Sequence, residues 1–200
     1  WSSDVCSSDL AYNTAGIFIN NGNMQLDVGS GGLVMQGGDG SATGSNGANI
    51  GGSGANGRVL TLNIAGDTSL TGGTTQDSSA FIGLGGSGSG QSVTVTFTGT
   101  TGDVSLNGGS ALNAGAAIGA GRQQDNATAN VTVTGKNIIF TPGTLGAARL
   151  GHSALALNGG GNVSVTATGG NISLLTGAGA TSYILTTGNV TLQASRSEEH

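Results

Sequence analysis

Residues 161–177 read GNVSVTATGGNISLLTG, and the fold can be inferred from the pattern of this segment. Val163 and Val165 alternate with hydroxyl residues, which is the two-residue period of a strand with one buried face. A Gly-Gly-Asn corner follows, and a second alternating run begins at Ile172. Gly and Asn readily adopt the positive φ angles that such tight corners need. The stretch therefore predicts two short strands joined by a sharp turn.

The same unit recurs along the chain, and three columns of equivalent residues define its period. The first column consists of apolar residues, four of which are followed by Gly. The corner residue forms the second column, and the residue that opens the alternating strand forms the third. The first column is Ile17, Ile50, Ile82, Ile118, Leu150 and Ile184, with steps of 33, 32, 36, 32 and 34 residues. The second is Gly32, Asp67, Asp103, Asn137 and Asn171, and the third is Met24, Leu60, Val93, Val131, Val163 and Val190. A shared period near 34 residues is typical of a repeat architecture.

The repeat predicts an all-β fold. No segment keeps the roughly 3.6-residue apolar period of a helix, and Gly interrupts the chain throughout. A β-sandwich contains many short strands, but nothing in that architecture repeats one set of strands at a fixed spacing. Stacked coils do so, because each coil buries its apolar side only against its neighbours. We therefore expect a parallel β-helix (β-solenoid) of about five to six coils with a period near 34 residues.

The composition favours a turn-dense β protein over several other classes. Gly accounts for 41 of 200 residues, but collagen needs a strict Gly-X-Y triplet and far more than one Pro. Plentiful alternating β-branched residues argue against disorder. A net charge of −5 with 4% aromatic residues argues against nucleic acid as a partner. No apolar run approaches the roughly 20 residues of a membrane-spanning helix.

The two ends of the chain differ in composition from everything between them. WSSDVCSSDL (1–10) contains the only Trp and the only Cys, and RSEEH (196–200) contains the only Glu residues. Back-translation of both ends yields one short DNA string read in opposite senses, and that string resembles a sequencing-library adapter. We therefore expect residues 1–10 and 196–200 to be adapter-derived artefacts, and residues 11–195 to be a β-helix repeat fragment without Cys.

Residues 161–177, the stretch GNVTLQAS (188–195) and the Ala-x-Ile-Gly units at 48–51, 80–83 and 116–119 resemble filamentous-haemagglutinin-like and autotransporter-type bacterial adhesins. The resemblance extends over nearly all of the repeat region. It implies a right-handed parallel β-helix in an exoprotein passenger of a Gram-negative bacterium, exported by a two-partner or autotransporter route and secreted or held at the cell surface. It also implies a structural or stalk segment for adhesion, aggregation or biofilm formation. The implied partners are host or bacterial surface glycans or proteins, and further repeats of the same chain.

The sequence predicts no catalytic, cofactor-binding or metal-binding residues, and no enzyme activity. In the corner column, Asp67 and Asp103 occupy the position that Asn137 and Asn171 occupy in later coils. A catalytic carboxylate would not be replaced by an amide in the next coil, so we assign all four a structural turn or ladder role. His152 has no second potential metal ligand near it in the sequence. A polysaccharide-acting β-helix enzyme, which needs paired carboxylates, is one alternative.

Loops and outward strand positions carry the remaining hypotheses. Four variable loops follow the Ile-Gly column and are candidates for recognition: residues 51–58, 83–91, 119–130 and 151–161. A second alternative is an ice-binding solenoid, because outward hydroxyl pairs would form two columns: Thr94/Thr96, Thr132/Thr134 and Ser164/Thr166. Asn-x-Ser/Thr patterns also permit N-glycosylation at five positions, although a corner Asn before an alternating strand generates this pattern automatically: Asn126, Asn130, Asn162, Asn171 and Asn189.

Overall fold

The computed structural model describes most of the chain. The described residues are 15–19, 22–39, 47–52, 58–85, 87–99, 101–121, 123–154 and 158–195. The two terminal segments assigned to adapter DNA lie outside this part of the chain, and so does a portion of each of the four predicted loops.

Three parallel sheets run along the molecule, and the chain visits them in turn. Sheet 1 consists of β1 (Ala15–Phe18), β4 (Ala48–Gly52), β7 (Ala80–Leu84), β11 (Ala116–Ala120), β15 (Ala148–Gly151) and β18 (Ser182–Leu185). Sheet 2 consists of β2 (Met24–Val28), β5 (Arg58–Ile64), β9 (Ser92–Gly99), β13 (Thr128–Gly135), β16 (Val163–Ala167) and β19 (Val190–Ala194). Sheet 3 consists of β3 (Leu33–Gln36), β6 (Thr68–Thr71), β10 (Val104–Asn107), β14 (Ile138–Thr141) and β17 (Ile172–Leu174). A small fourth sheet pairs β8 (Ser87–Ser89) with β12 (Gln123–Asp125).

Each strand of the three large sheets pairs in parallel with its equivalents in the adjacent coils. In sheets 1 and 2 the four inner strands have neighbours on both sides, and the two outer strands have a neighbour on one side. The described part of the chain contains no helix. The prediction of an all-β, parallel β-solenoid with a period of about 34 residues is confirmed. Its right-handed sense stays a prediction from the resemblance.

The core lies between the three sheets and is built from the alternating strands. In β5, β9 and β13 every second side chain points inward and is buried. Their outward neighbours are mostly Thr, which favours strands as the buried Val and Ile do. Burial is complete only where a coil has neighbours on both sides: Phe97 is 0% exposed, whereas Leu192 in the last coil is 52% exposed. The stack of coils therefore stabilises the fold, and no single coil has a core of its own.

The structure corrects the third column at one coil. The sequence aligned Val93 with Leu60 and Val131, but Val95 is the residue that pairs with both. Val93 instead pairs with Ala129 one coil later. The alignment was wrong because it matched the first large apolar residue of each run, and the small buried Ala129 did not register as the start of its strand. A shift of two residues keeps Val93 on the buried face, because side chains alternate with a period of two.

Candidate functional surfaces

In the four inner strands of sheet 1, the Gly after the Ile/Leu column lies in the last two residues of the strand. Gly51, Gly83 and Gly119 have φ angles of 134°, 136° and 133°, which residues with a side chain rarely adopt. A Cβ atom at Gly83 would lie 2.0 Å from the carbonyl oxygen of Gly119 in the next coil. Gly is therefore required by the backbone angle and by the close stacking of coils. This corner is the point from which all four predicted loops leave the solenoid.

The first-column residues lie opposite one another in sheet 1. The register pairs Ile17 with Ile50, Ile50 with Ile82, Ile82 with Ile118, Ile118 with Leu150, and Leu150 with Ile184. The four inner members are buried, Ile17 in the first coil is largely exposed, and Ile184 in the last coil is half-buried. The column forms the sheet 1 side of the core, so its role is packing.

The corner column forms a hydrogen-bonded ladder between coils. Asp67 Oδ1 accepts a hydrogen bond from the backbone N–H of Asp103 at 2.9 Å. Asn137 donates from Nδ2 to Asp103 Oδ1 at 2.8 Å, and its own Oδ1 accepts from the backbone N–H of Asn171 at 3.0 Å. Carboxylate and amide oxygens are both acceptors, which explains why Asn can replace Asp in the later coils of the column. The two carboxylates of the column are thereby held as acceptors at the corner.

We expect Asn137→Ala to lower the free energy of unfolding by about 1–2 kcal/mol, because both ladder bonds are lost and the Asn171 N–H loses its partner. Chemical denaturation of the full chain measures the change. Asn189→Ala is the matched control: the Asn189 backbone N–H donates to Asn162 Oδ1, and this bond survives the substitution. The control should change stability by less than about 0.5 kcal/mol. Equal losses in the two variants would contradict a ladder role.

A second ladder precedes the strands of sheet 2, and sequence reasoning missed it. Asn130 Oδ1 accepts from the backbone N–H of Asn162 at 3.0 Å, and Asn162 Oδ1 accepts from the backbone N–H of Asn189 at 3.0 Å. The available signal was an Asn directly before the first Val of three alternating runs. Asn126 differs, since it lies exposed in a turn with a φ of 52°. Glycosylation of the Asn-x-Ser/Thr positions stays a prediction.

The loops that leave sheet 1 stack on one another. Strand β8 in loop 83–91 pairs in parallel with β12 in loop 119–130, and an isolated parallel bridge joins the next loop to β13. Asn126 and Asn158 lie exposed in two of the loops, and both have positive φ angles. Loops 83–91, 119–130 and 151–161 are therefore each held one coil from the next, and turn side chains of two of them face the solvent.

Sheet 1 is buried on both faces in β7, β11 and β15, unlike sheets 2 and 3. On the face away from the core, Phe81, Ala117 and Arg149 occupy successive coils, and all three are buried. The Arg149 guanidinium carbon lies 5.9 Å from the centre of the Phe81 ring, and Arg149 Nη1 donates to the Ala120 carbonyl at 2.8 Å. Sequence reasoning missed this cluster. The signal was the continuous apolar runs AFIGL and AAIGA, which are typical of strands buried on both faces.

His152 lies at the start of loop 151–161 and is 1% exposed. Its Nε2 is 2.7 Å from the Gly160 carbonyl oxygen, and since a carbonyl only accepts, Nε2 is the donor. Nδ1 is buried and has no hydrogen-bond partner among the described residues. Burial lowers the pKa of His152; the Gly160 hydrogen bond opposes this shift, and the charge of Arg149 reinforces it. The imidazole is therefore held neutral at the base of the loop.

Mild acid is expected to destabilise the fold through His152. The folded-state pKa is lowered from the ordinary value of 6.5, so the unfolded chain binds the proton more readily. The stability contributed by the neutral ring is complete above that ordinary pKa and is lost as the pH falls toward the folded-state pKa. Between about pH 8 and about pH 5, the unfolding free energy should fall more for the wild type than for His152→Gln, which does not titrate. Identical pH profiles would contradict this expectation.

Two further carboxylates, those of Asp27 and Asp77, also act as acceptors. Asp27 accepts hydrogen bonds from Asn63 Nδ2 at 2.6 Å and from Gln25 Nε2 at 2.9 Å, and these bonds lower the pKa of its carboxyl group. Asp77 Oδ1 accepts from Asn113 Nδ2 at 2.7 Å. Within the described ranges, no group of three or more His, Cys, Asp or Glu is arranged to hold a metal ion. These acidic side chains therefore connect coils or neighbouring strand positions.

The outward face of sheet 2 carries two columns of small polar residues. One column consists of Thr61, Thr96, Thr132, Ser164 and Thr191 in successive coils. The other consists of Asn63, Thr98, Thr134, Thr166 and Gln193. The sequence placed Thr96 beside Thr134, which is wrong for the same reason as the Val93 alignment: the structure places Thr96 beside Thr132. The corrected register gives one column of five consecutive hydroxyl residues.

Two broader findings bear on function. Among the residues that the structure describes, no helix is long and apolar enough to cross a membrane. Comparisons of the chain with protein-family models, with curated proteins and with solved structures found no match.

Proposed function

We propose that this chain is a structural segment of a large secreted or surface-exposed bacterial adhesin, whose β-solenoid spaces and presents loops for adhesion, aggregation or biofilm formation. The observation that carries the proposal is that loops 83–91, 119–130 and 151–161 leave sheet 1 at the same corner in successive coils. Recognition residues concentrate on loops that a rigid scaffold positions. A row of loops on one side of a rod suits contact with an extended partner such as a cell surface.

The solenoid itself is suited to act as a spacer. Successive strands lie about 4.8 Å apart, so the six strands of sheet 2 span roughly 24 Å along the axis. The core and the side-chain ladders continue from coil to coil, so bending the rod would break parallel pairs in three sheets together. A rod of this kind lengthens by adding equivalent coils. The stacking of equivalent coils therefore sets the length of the rod and also makes it resist bending.

The carboxylates favour a structural segment over a polysaccharide-acting enzyme. Glycoside hydrolysis needs two carboxyl groups that face the scissile bond from opposite sides. Asp67 and Asp103 instead accept hydrogen bonds at one corner, and Asp27 accepts from two neighbouring amides. Their oxygens are engaged in holding the coils together.

Surface display tests the proposal. The full chain would be exported on a non-adherent Gram-negative strain and compared with the same exporter lacking the chain. We expect increased autoaggregation or attachment to host cells. Asn126→Gly combined with Asn158→Gly should reduce this gain, because exposed loop side chains are removed while Gly keeps the positive φ angles.

Asn113→Gly is the control for backbone and stability effects, since Asn113 has a positive φ angle of 64°, lies at a corner away from these loops, and loses its hydrogen bond to Asp77 on substitution. The control should retain the gain. A displayed and folded chain that changes neither aggregation nor attachment would contradict the proposal. Release of sugars from a panel of polysaccharides would favour the enzyme instead.

A further inference from the structure

Sheet 2 has an outward face that the proposed adhesin role leaves unused. From β9 to β19 its two polar columns contain no charged residue and no aromatic residue. At the centre of the face, Thr96, Thr98, Thr132 and Thr134 form a block of four Thr side chains on adjacent strands. Asp27 in the first coil is the charged residue at the start of the column that contains Asn63, Thr98 and Thr134. In β9, β13 and β16 these two columns therefore present neutral hydroxyl and methyl groups.

The hydroxyl groups at the centre of this face make no hydrogen bonds within the described part of the protein. In the part of the chain that the structure describes, the column Thr and Ser side chains of β9, β13 and β16 make no hydrogen bond to another protein group. These side chains are half-buried or exposed, and Thr132 is exposed. Structural ladders elsewhere engage their polar atoms, as the Asp103–Asn137 pair does. The outward hydroxyl groups of sheet 2 remain available to solvent.

The face is also regular in two directions. Along each column the strands repeat at about 4.8 Å, and within a strand the two columns are two residues apart, or roughly 6.6 Å. Continuous pairing from β5 to β19 keeps this spacing without a bulge in the register. Equivalent side chains in one rotamer would therefore form a regular two-dimensional array of donors, acceptors and methyl groups.

The residue types on the outward face of sheet 2 favour some classes of ligand over others. Sugar rings bind on aromatic side chains, and nucleic acids need cationic ones, and neither type occurs in these columns from β9 onward. Stable protein interfaces depend on buried Trp, Tyr or Arg anchors, which are also absent from these columns. A repeating neutral array of hydroxyl groups is complementary to a repeating array of water molecules, because each hydroxyl both donates and accepts.

We propose that the outward face of sheet 2 binds ice, with the hydroxyl columns occupying water positions at the crystal surface and the Thr methyl groups lying between them. The proposal is independent of the adhesin role, because it uses sheet 2 and not the loops. It rests on the corrected register, which extends the hydroxyl column of Thr96, Thr132 and Ser164 to Thr61 and Thr191.

Partitioning of the full chain into slowly growing ice tests the proposal, with thermal hysteresis as a second readout. The wild type should be enriched in the ice fraction. Thr132→Lys, at the exposed centre of the hydroxyl column that runs from Thr61 to Thr191, should lose most of this enrichment, because a long charged side chain disrupts the array. Thr141→Lys is the matched control: Thr141 lies in the same coil on the outward face of sheet 3, and this variant should bind ice as the wild type does.

Circular dichroism and a thermal melt establish that each variant is folded, and Thr96→Lys provides a second variant in the same column. Exclusion of the folded wild type from ice would overturn the proposal. Equal losses in Thr132→Lys and Thr141→Lys would also overturn it, because the effect would then come from charge alone. Retention on cellulose or chitin particles without enrichment in ice would identify a polysaccharide as the occupant and overturn it as well.

Discussion

Gly83→Ala is expected to lower the free energy of unfolding by about 3 kcal/mol or more. The φ angle of 136° at Gly83 lies in a region where a side chain alone costs about 1–3 kcal/mol. The added methyl group would also lie 2.0 Å from the Gly119 carbonyl oxygen. That oxygen belongs to the backbone of an inner strand, so relief of the contact requires two coils to separate. The steric cost therefore adds to the backbone cost.

Gly85→Ala is the matched control, two residues further along the same chain segment. A Cβ atom at Gly85 would meet only Phe81 ring carbons at 3.8 Å, which is an ordinary contact distance. We expect a change within about 1 kcal/mol, because Ala also restricts the unfolded chain. Urea denaturation and resistance to proteolysis measure both variants. A similar stability for Gly83→Ala and Gly85→Ala would show that sheet 1 does not need Gly at its corner.

Phe97→Ala is expected to cost about 3–5 kcal/mol, the usual range for removing a fully buried Phe. Phe97 is 0% exposed, and in sheet 2 it lies between Leu62 and Val133 of the adjacent coils. A cavity there interrupts the apolar column through which neighbouring coils stabilise one another. Because each coil depends on its neighbours, the loss should lower the stability of the whole stack.

Phe18→Ala is the comparison, since Phe18 lies in the first coil and is 56% exposed. Its removal should change stability by less than about 0.5 kcal/mol. Thermal melts followed by circular dichroism distinguish the two variants. A small effect of Phe97→Ala would mean that the column of sheet 2 is not the continuous core that its burial indicates.

The fold could be predicted because each coil repeats the same local pattern. Alternation such as Val163-x-Val165 sets the strand and its buried face, and Gly at positions such as Gly83 sets the corner. Parallel stacking then follows, because a two-residue alternation exposes an apolar face that only an equivalent coil can cover. The sequence column that aligns Ile82, Ile118 and Leu150 has the same register in the structure, although its two steps are 36 and 32 residues long.

Several contacts could not be predicted, because they depend on side-chain size and reach between coils. Ala129 is too small to mark the start of a strand by hydropathy, yet it pairs with Val93 and so determines the register of β9. Arg149 reaches Phe81 only because the residue between them is Ala117. His152 and the Gly160 carbonyl meet across their loop, a pairing that no sequence period encodes.

The strand period, the approximate length of the coil and the residue types at the corners can all be derived from the sequence, because they are local properties that recur in every repeat. The tertiary structure is needed to show which hydroxyl groups share a column, which Asn side chains connect coils, and that the outer face of sheet 1 is buried. These features arise where residues a full coil apart come into contact. Their outcome depends on the volumes and hydrogen-bonding groups that meet there, and a one-dimensional pattern does not contain that information.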